Sequence, residues 1–65
     1  MPEKWTGEVA ALMHLNRITG RQLARKLGYT EEYVSKIMNG SRSPTGAEER
    51  FKEAVNCIIQ EKKEG

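Results

Sequence analysis

The basic side chains of this chain are concentrated in one part of its sequence. Residues 16–46 include six basic and two acidic residues, a net charge of +4, whereas residues 47–65 include four basic and five acidic residues, a net charge of −1. Guanidinium and ammonium groups in such a cluster bind anions, and the phosphates of a nucleic acid are the polyanion that matches them. The basic segment is therefore the first candidate for a binding surface.

Catalytic and metal chemistry are not expected. The sequence has no aspartate, one histidine (His14) and one cysteine (Cys57). These residues supply neither a nucleophile with its base nor a cysteine metal cluster, and one thiol cannot form an internal disulfide. There is no glycine-rich phosphate loop either. We therefore expect no enzymatic activity, no metal and no cofactor.

Length and composition predict one small soluble domain over residues 1–65. Apolar residues make up 37% of the chain and charged residues 31%, with four aromatic residues, which is typical of a folded helical domain. No apolar run approaches the roughly 20 residues of a membrane span, and residues 1–4 lack the apolar core of a signal peptide. We expect a cytoplasmic protein that does not contact a membrane.

Apolar residues recur at helical spacing over four segments, and no alternating run indicates a strand, so the predicted fold class is all-α. The first helix is expected from about residue 3 or 6 to residue 16. The second lies between Thr19 and Gly28, the third between Thr30 and Asn39, and the fourth follows Thr45. Residues 41–44 form a polar loop.

Threonines mark the predicted helix starts. Thr19 with Gln22, and Thr45 with Glu48, have the spacing of a capping box, in which the hydroxyl accepts from a backbone N–H three residues on. Thr30 is expected to cap the third helix, where acidic residues in the first turn favour the helix dipole.

The second and third helices have the pattern of a closely packed pair. Small Ala24 allows the two helices to approach each other, and Gly28 allows a turn with positive φ. The predicted buried residues of the pair are Leu23, Leu27, Val34 and Ile37. The last helix has one apolar arc, formed by Ala47, Phe51, Ala54, Val55 and Ile58 and extended by Lys62.

This stretch resembles the helix-turn-helix of the lambdoid phage repressor and Cro family. The resemblance covers about residues 5–44, and the matching positions are Val9, Ile18, Thr19, Leu23, Ala24, Gly28, Thr30, Val34, Ile37, Asn39 and Gly40. It implies a lambda-repressor-like DNA-binding domain with the helix-turn-helix at about residues 19–40 and the third helix in the major groove. It also implies a small phage or prophage regulator, with four helices or the five that are usual in the family.

Several positions depart from the family pattern. Gly20 stands where members often have a glutamine that contacts a phosphate, and Glu31 and Glu32 stand at recognition positions where glutamine is frequent. Met13 and Met38 occupy the positions of a frequent Arg–Glu pair, which predicts an apolar contact in its place. The single long helix after Thr45 leaves the mode of dimerisation open.

Ten residues are the candidate DNA contacts: Arg17, Arg21, Glu31, Glu32, Tyr33, Ser35, Lys36, Asn39, Gly40 and Arg42. We expect Ser35 and Lys36 to reach base edges, with Lys36 on guanine N7 and O6, although simple solvation of Lys36 is the alternative. Arg17 and Arg21 flank the start of the second helix and are expected to contact phosphates.

Other candidates have two interpretations. Glu31 and Glu32 either accept from a cytosine amino group or only stabilise the helix N-terminus. Tyr33 either packs its ring on the second helix and donates its hydroxyl to a phosphate, or only packs in the core. Residues 39–42 are expected to contact a phosphate at the loop, and Asn39 and Gly40 also to end the helix.

Two functions from different classes fit these features. The first is a sequence-specific transcriptional regulator of the repressor or Cro type, binding a palindromic site as a homodimer through the last helix, where Cys57 and Ile59 flank the core arc. The second is a protein-interaction module, an antirepressor or antitoxin-like adaptor, whose Glu31 and Glu32 face a basic partner.

Overall fold

The computed structural model describes residues 3–64; Met1, Pro2 and Gly65, the ends of the predicted domain, lie outside the described residues. Four α-helices follow one another: α1 (Lys4–Leu15), α2 (Gly20–Leu27), α3 (Glu31–Met38) and α4 (Ala47–Glu64). Residues 3–64 contain no strand, so the all-α prediction is confirmed. No helix in this range is both long enough and apolar enough to span a membrane.

The starts of α2 and α3 are formed by the predicted threonine caps. Thr19 Oγ accepts from the N–H of Gln22 at 3.1 Å, and the N–H of Thr19 donates to Gln22 Oε1 at 2.8 Å, so the capping box is complete. Thr30 Oγ accepts from the N–H of Tyr33 at 3.1 Å. Gly28 then ends α2 in the left-handed region, with φ of 77°. Local sequence therefore determines where both helices begin and where α2 ends.

One core joins the four helices. Phe51 of α4 is fully buried and meets Trp5 of α1 edge to face, with ring centroids 5.3 Å apart. The predicted inner residues of α2 and α3 are buried, with Leu27 half-buried at the margin. The predicted apolar arc of α4 is also buried: Ala47, Phe51, Ala54, Val55 and Ile58. Because α4 contacts both α1 and α2, it joins the first helix to the α2–α3 pair.

The C-terminal end of α1 is capped by the residues that follow it and by Lys62 of α4. Arg17 has φ of 54°, and the N–H groups of Arg17 and Ile18 donate back to the carbonyls of His14 and Met13, at 3.3 and 2.8 Å. This is the double hydrogen bond of a Schellman motif, with arginine at the position that usually holds glycine. Lys62 is exposed rather than part of the buried arc, and its ammonium binds carbonyls of this turn.

The predicted capping box of α4 is wrong. Gly46, with φ of 79°, turns the chain between Thr45 and the helix, and α4 begins at Ala47. The carbonyl of Gly46 accepts from the N–H of Arg50 at 3.1 Å. Thr45, three residues before Glu48, is therefore not the cap of α4. The carboxylate of Glu48 instead accepts from Lys52 at 2.8 Å.

Candidate nucleic-acid interface

The exposed side of α3 is a short polar strip. At 100° per residue its exposed side chains and that of the C-cap span an arc of about 140°; they are Glu31, Glu32, Ser35, Lys36 and Asn39. The opposite side of α3 is buried in the core. Eight helical residues measure about 12 Å, which matches the width of the major groove of B-DNA. The structure thus groups five of the predicted contacts on one face.

Arg21 and Glu31, predicted as separate DNA contacts, are bound to each other. Arg21 Nε donates to Glu31 Oε1 at 3.0 Å, which links the first turn of α2 to the first turn of α3. Both side chains face solvent, with 77% of the arginine and 57% of the glutamate exposed. The guanidinium therefore lies beside the N-terminal end of the polar strip.

The loop after α3 folds back onto the last turn of the helix. Asn39 Oδ1 accepts from the N–H of Ser41 at 3.0 Å, and Gly40 takes φ of 88°. The N–H groups of Ser41 and Arg42 both donate to the carbonyl of Lys36, at 2.8 and 3.2 Å. The predicted helix stop at Asn39 and Gly40 is confirmed, and the exposed Arg42 lies at the C-terminal end of the polar strip.

Glu3 binds the loop that follows α3, a contact that the sequence pattern did not indicate. The hydroxyl of Ser43 donates to Glu3 Oε1 at 2.8 Å, while the indole N–H of Trp5 donates to Glu3 Oε2. Because Trp5 is buried, the carboxylate ties the loop next to Arg42 to the core. Forty residues separate Glu3 from Ser43, so no local pattern could have predicted the bond.

Tyr33 is half-buried and packs on another aromatic ring. Its ring meets that of Tyr29 edge to face, with centroids 4.9 Å apart, and the guanidinium of Arg50 lies 5.7 Å from the Tyr29 centroid. The sequence interpretation placed the Tyr33 ring against α2 and overlooked Tyr29 and Arg50. Two tyrosines four residues apart across a helix start were the available signal. Tyr33 therefore has a packing role, alongside its untested candidate role at DNA.

The remaining cations of the basic segment are Arg17, Arg25 and Lys26. Arg17 and Arg25 are exposed, Arg17 in the turn before α2. Lys26 instead forms an ion pair with Glu61 of α4, and this hydrogen bond is the main cause that raises the pKa of Lys26 above its ordinary value. Lys26 is thus engaged in holding α2 to α4.

Met13 and Met38 are both half-buried, and each packs against the core. An apolar contact between these two side chains, in place of an ion pair, stays a prediction. The thioethers can fill the irregular space between two helices.

A pair of helices joined by a tight turn, with the second exposing a polar face, defines the class of helix-turn-helix domains. A family model described as helix-turn-helix, of the Cro/CI type, matches residues 9–48, which is more than half of the chain. The chain therefore belongs to this family of DNA-binding helix-turn-helix regulators. Comparisons with curated proteins and with solved structures gave no match.

Proposed function

We propose that the protein is a cytoplasmic, sequence-specific regulator of the repressor or Cro type, which inserts α3 into the major groove of duplex DNA. The polar strip of α3, with Arg21 at one end and Arg42 at the other, is the observation that carries the proposal. The cations at the ends suit phosphates on either side of the groove, and the side chains between them suit base edges. The resemblance to phage repressors supports a phage or prophage role.

In this proposal the residues of the strip have different tasks. Lys36, exposed in the second half of α3, donates to guanine N7 and O6, and Ser35 contacts the neighbouring base. Arg42 and the backbone around Gly40 hold a phosphate, as Arg17 and Arg21 do at the start of α2. Phosphate contacts determine affinity for any duplex, whereas base contacts determine sequence preference.

Binding to random-sequence duplex DNA over a salt series tests the phosphate contacts. We expect the slope of log K against log salt to become shallower by about 0.9 in Arg42→Ala, because one phosphate contact is lost. Lys63→Ala is the matched control, since Lys63 is exposed near the end of α4 and the proposal places it away from DNA. Equal slopes for wild type and Arg42→Ala would contradict a phosphate contact of Arg42.

Selection from randomised duplexes tests the base contact of Lys36. On the selected site, we expect Lys36→Ala to lose about 1–3 kcal/mol of binding free energy and to relax the preference at one base pair. On random duplex the same variant should lose no more affinity than Arg42→Ala. Retention of full sequence preference would remove Lys36 from the base contacts.

The adaptor alternative depends on free carboxylates at the start of α3. Glu31 is bound to Arg21, which leaves Glu32 as the exposed carboxylate of that turn without an ion-pair partner among residues 3–64. This favours the DNA-binding proposal. Failure of the wild type to bind any duplex at low salt would favour the adaptor.

A homodimer on a palindromic site is the proposed assembly, with α4 as the candidate contact. A single module of this kind buries only about 600–1,000 Å² on DNA, so two subunits bind more strongly than one. Ile59 on α4 is half-buried, and Leu15 on α1 is 76% exposed, so some apolar surface is available for a subunit contact. Sedimentation of protein with a palindromic duplex should show two subunits, and Ile59→Glu should reduce this to one; a single subunit in the wild type would contradict the dimer.

A further inference from the structure

The ion pair between Arg21 and Glu31 lies within the proposed DNA interface. It joins two side chains ten residues apart, one on α2 and the other on α3, with Arg21 Nε 3.0 Å from Glu31 Oε1. Each of the two residues taken alone has an obvious relation to DNA. A guanidinium beside the start of a helix attracts a phosphate, whereas a carboxylate in the same place repels one.

We infer that Glu31 is an internal counterion of Arg21, which lowers the affinity of the protein for duplex DNA of any sequence. In the free protein the carboxylate occupies the guanidinium that a DNA phosphate would otherwise bind. When DNA approaches, Arg21 either leaves Glu31 for the phosphate or binds the phosphate with a carboxylate beside it. Both routes weaken the phosphate contact. The inference rests on the proposed DNA-binding function.

Weakening one phosphate contact matters here, because only a few cations of this domain are proposed to contact DNA. The exposed cations proposed at DNA are Arg17, Arg21, Lys36 and Arg42, and the exposed anions of the strip are Glu31 and Glu32. Non-specific binding depends almost wholly on neutralised phosphates, so one carboxylate offsets a substantial part of it. Glu31 therefore lowers the affinity for duplex DNA of any sequence.

The neighbouring glutamate provides a matched control. Glu31 and Glu32 both lie in the first turn of α3 and both are exposed, but only Glu31 is paired with Arg21 among the described residues. Glu31→Gln and Glu32→Gln remove the same charge from adjacent positions of one helix end. Any general electrostatic effect is therefore common to both variants, and the difference between them reports the ion pair.

The experiment measures binding to random-sequence duplex by fluorescence anisotropy for wild type, Glu31→Gln, Glu32→Gln, Arg21→Ala and the two double variants with Arg21→Ala. At about 50 mM salt we expect Glu31→Gln to bind about three- to tenfold more tightly than wild type. Its slope of log K against log salt should steepen by about 0.9. Glu32→Gln should gain less, and in the Arg21→Ala background the two glutamine variants should be equal. Thermal melts followed by circular dichroism verify that each variant is folded at the assay temperature.

Two results would overturn the inference alone: equal gains in Glu31→Gln and Glu32→Gln, or an excess gain in Glu31→Gln that persists without Arg21. A third result, weaker binding of Glu31→Gln, would mean that the pair positions Arg21 for DNA instead of withholding it. In each of these cases the wild type still binds duplex with the Arg42 dependence described above, so the proposed function stands. If neither wild type nor any variant binds duplex at low salt, the proposed function fails and the inference fails with it.

Discussion

The ammonium group of Lys62 donates to the backbone carbonyl of Asn16 at 2.7 Å, and also to that of Arg17 at 3.1 Å. The last turns of α4 thereby supply a cation to the C-terminal end of α1. That end carries a negative partial charge from the helix dipole, which a cation stabilises. One side chain thus joins the first and last helices at the turn that leads into α2.

We expect Lys62→Met to destabilise the domain, because the carbonyls of residues 16 and 17 lose their cationic donor. The loss should be about 0.5–1 kcal/mol in the free energy of unfolding, measured by urea denaturation followed by circular dichroism. Lys63→Met is the matched control, since Lys63 is the adjacent exposed lysine. Equal destabilisation by both variants would show that overall charge, not the cap, is responsible.

Replacement of Arg17 by glycine is expected to stabilise the domain. Arg17 has φ of 54°, a conformation that is unfavourable for residues with a Cβ and favourable for glycine. We expect Arg17→Gly to raise the free energy of unfolding by about 0.5–1 kcal/mol. Arg17→Ala removes the same charge but keeps the Cβ, so it should give no such gain. Under the proposed function both variants lose affinity for random duplex; a gain in stability from Arg17→Ala equal to that from Arg17→Gly would contradict the conformational explanation.

The pair formed by Lys26 and Glu61 should make stability depend on pH at both extremes. Their hydrogen bond is the main cause that lowers the pKa of Glu61 and raises that of Lys26 from their ordinary values. A carboxyl with a lowered pKa stabilises the folded state above its ordinary pKa, and the contribution is lost as pH falls through the folded pKa. A lysine with a raised pKa stabilises the folded state below its ordinary pKa, and the contribution is lost as pH rises through the folded pKa.

We therefore expect the melting temperature of wild type to exceed that of Glu61→Gln between about pH 5 and pH 10, with the difference closing below about pH 4 and above about pH 11. Both groups are solvent-accessible, so the difference should be small and should shrink at high salt. Glu49→Gln, a charge-matched change at an exposed position of α4, should not show this pH profile. A difference that is constant from about pH 3 to about pH 7 would exclude the ion pair as its origin.

Phe51→Leu tests the centre of the core. The ring is fully buried and meets the ring of Trp5, the single tryptophan, edge to face. We expect a loss of about 1–2 kcal/mol in the free energy of unfolding, together with a change in the near-UV circular dichroism of Trp5. Leu15→Ala removes an exposed apolar side chain and should change stability by less than about 0.5 kcal/mol. Similar losses in both variants would contradict the assigned core.

Helix boundaries could be predicted where they depend only on residues close together in the sequence. Thr19, Thr30 and Gly28 each act within a few residues along the chain, and their predicted roles are confirmed. Thr45 has the same local pattern, but its predicted role as a cap is wrong. Gly46 adopts a positive φ, so the helix starts at Ala47. A threonine pattern cannot reveal which conformation a neighbouring glycine takes when the rest of the chain packs.

The candidate interface was predictable as a set of residues but not as a set of contacts. The exposed arc of α3 follows from helical periodicity, so its members could be named in advance. The bond between Arg21 and Glu31 depends on how α2 lies against α3, and the sequence interpretation assigned both side chains to DNA separately. The packing of Tyr33 on Tyr29 was overlooked for the same reason.

The sequence by itself determined the four helices, their apolar faces and the helix-turn-helix, because backbone hydrogen bonds and side-chain periodicity act over one or two turns. Only the tertiary structure decided which charged and polar groups pair between elements. It joined Lys62 to the end of α1, Glu3 to Ser43, and Arg21 to Glu31. These contacts join residues far apart in the sequence or on different helices, so no local sequence pattern marks them. An exposed ion pair such as that of Arg21 and Glu31 contributes only about 0–1 kcal/mol to stability. The partners in these contacts are determined by which helix ends the packed core brings together.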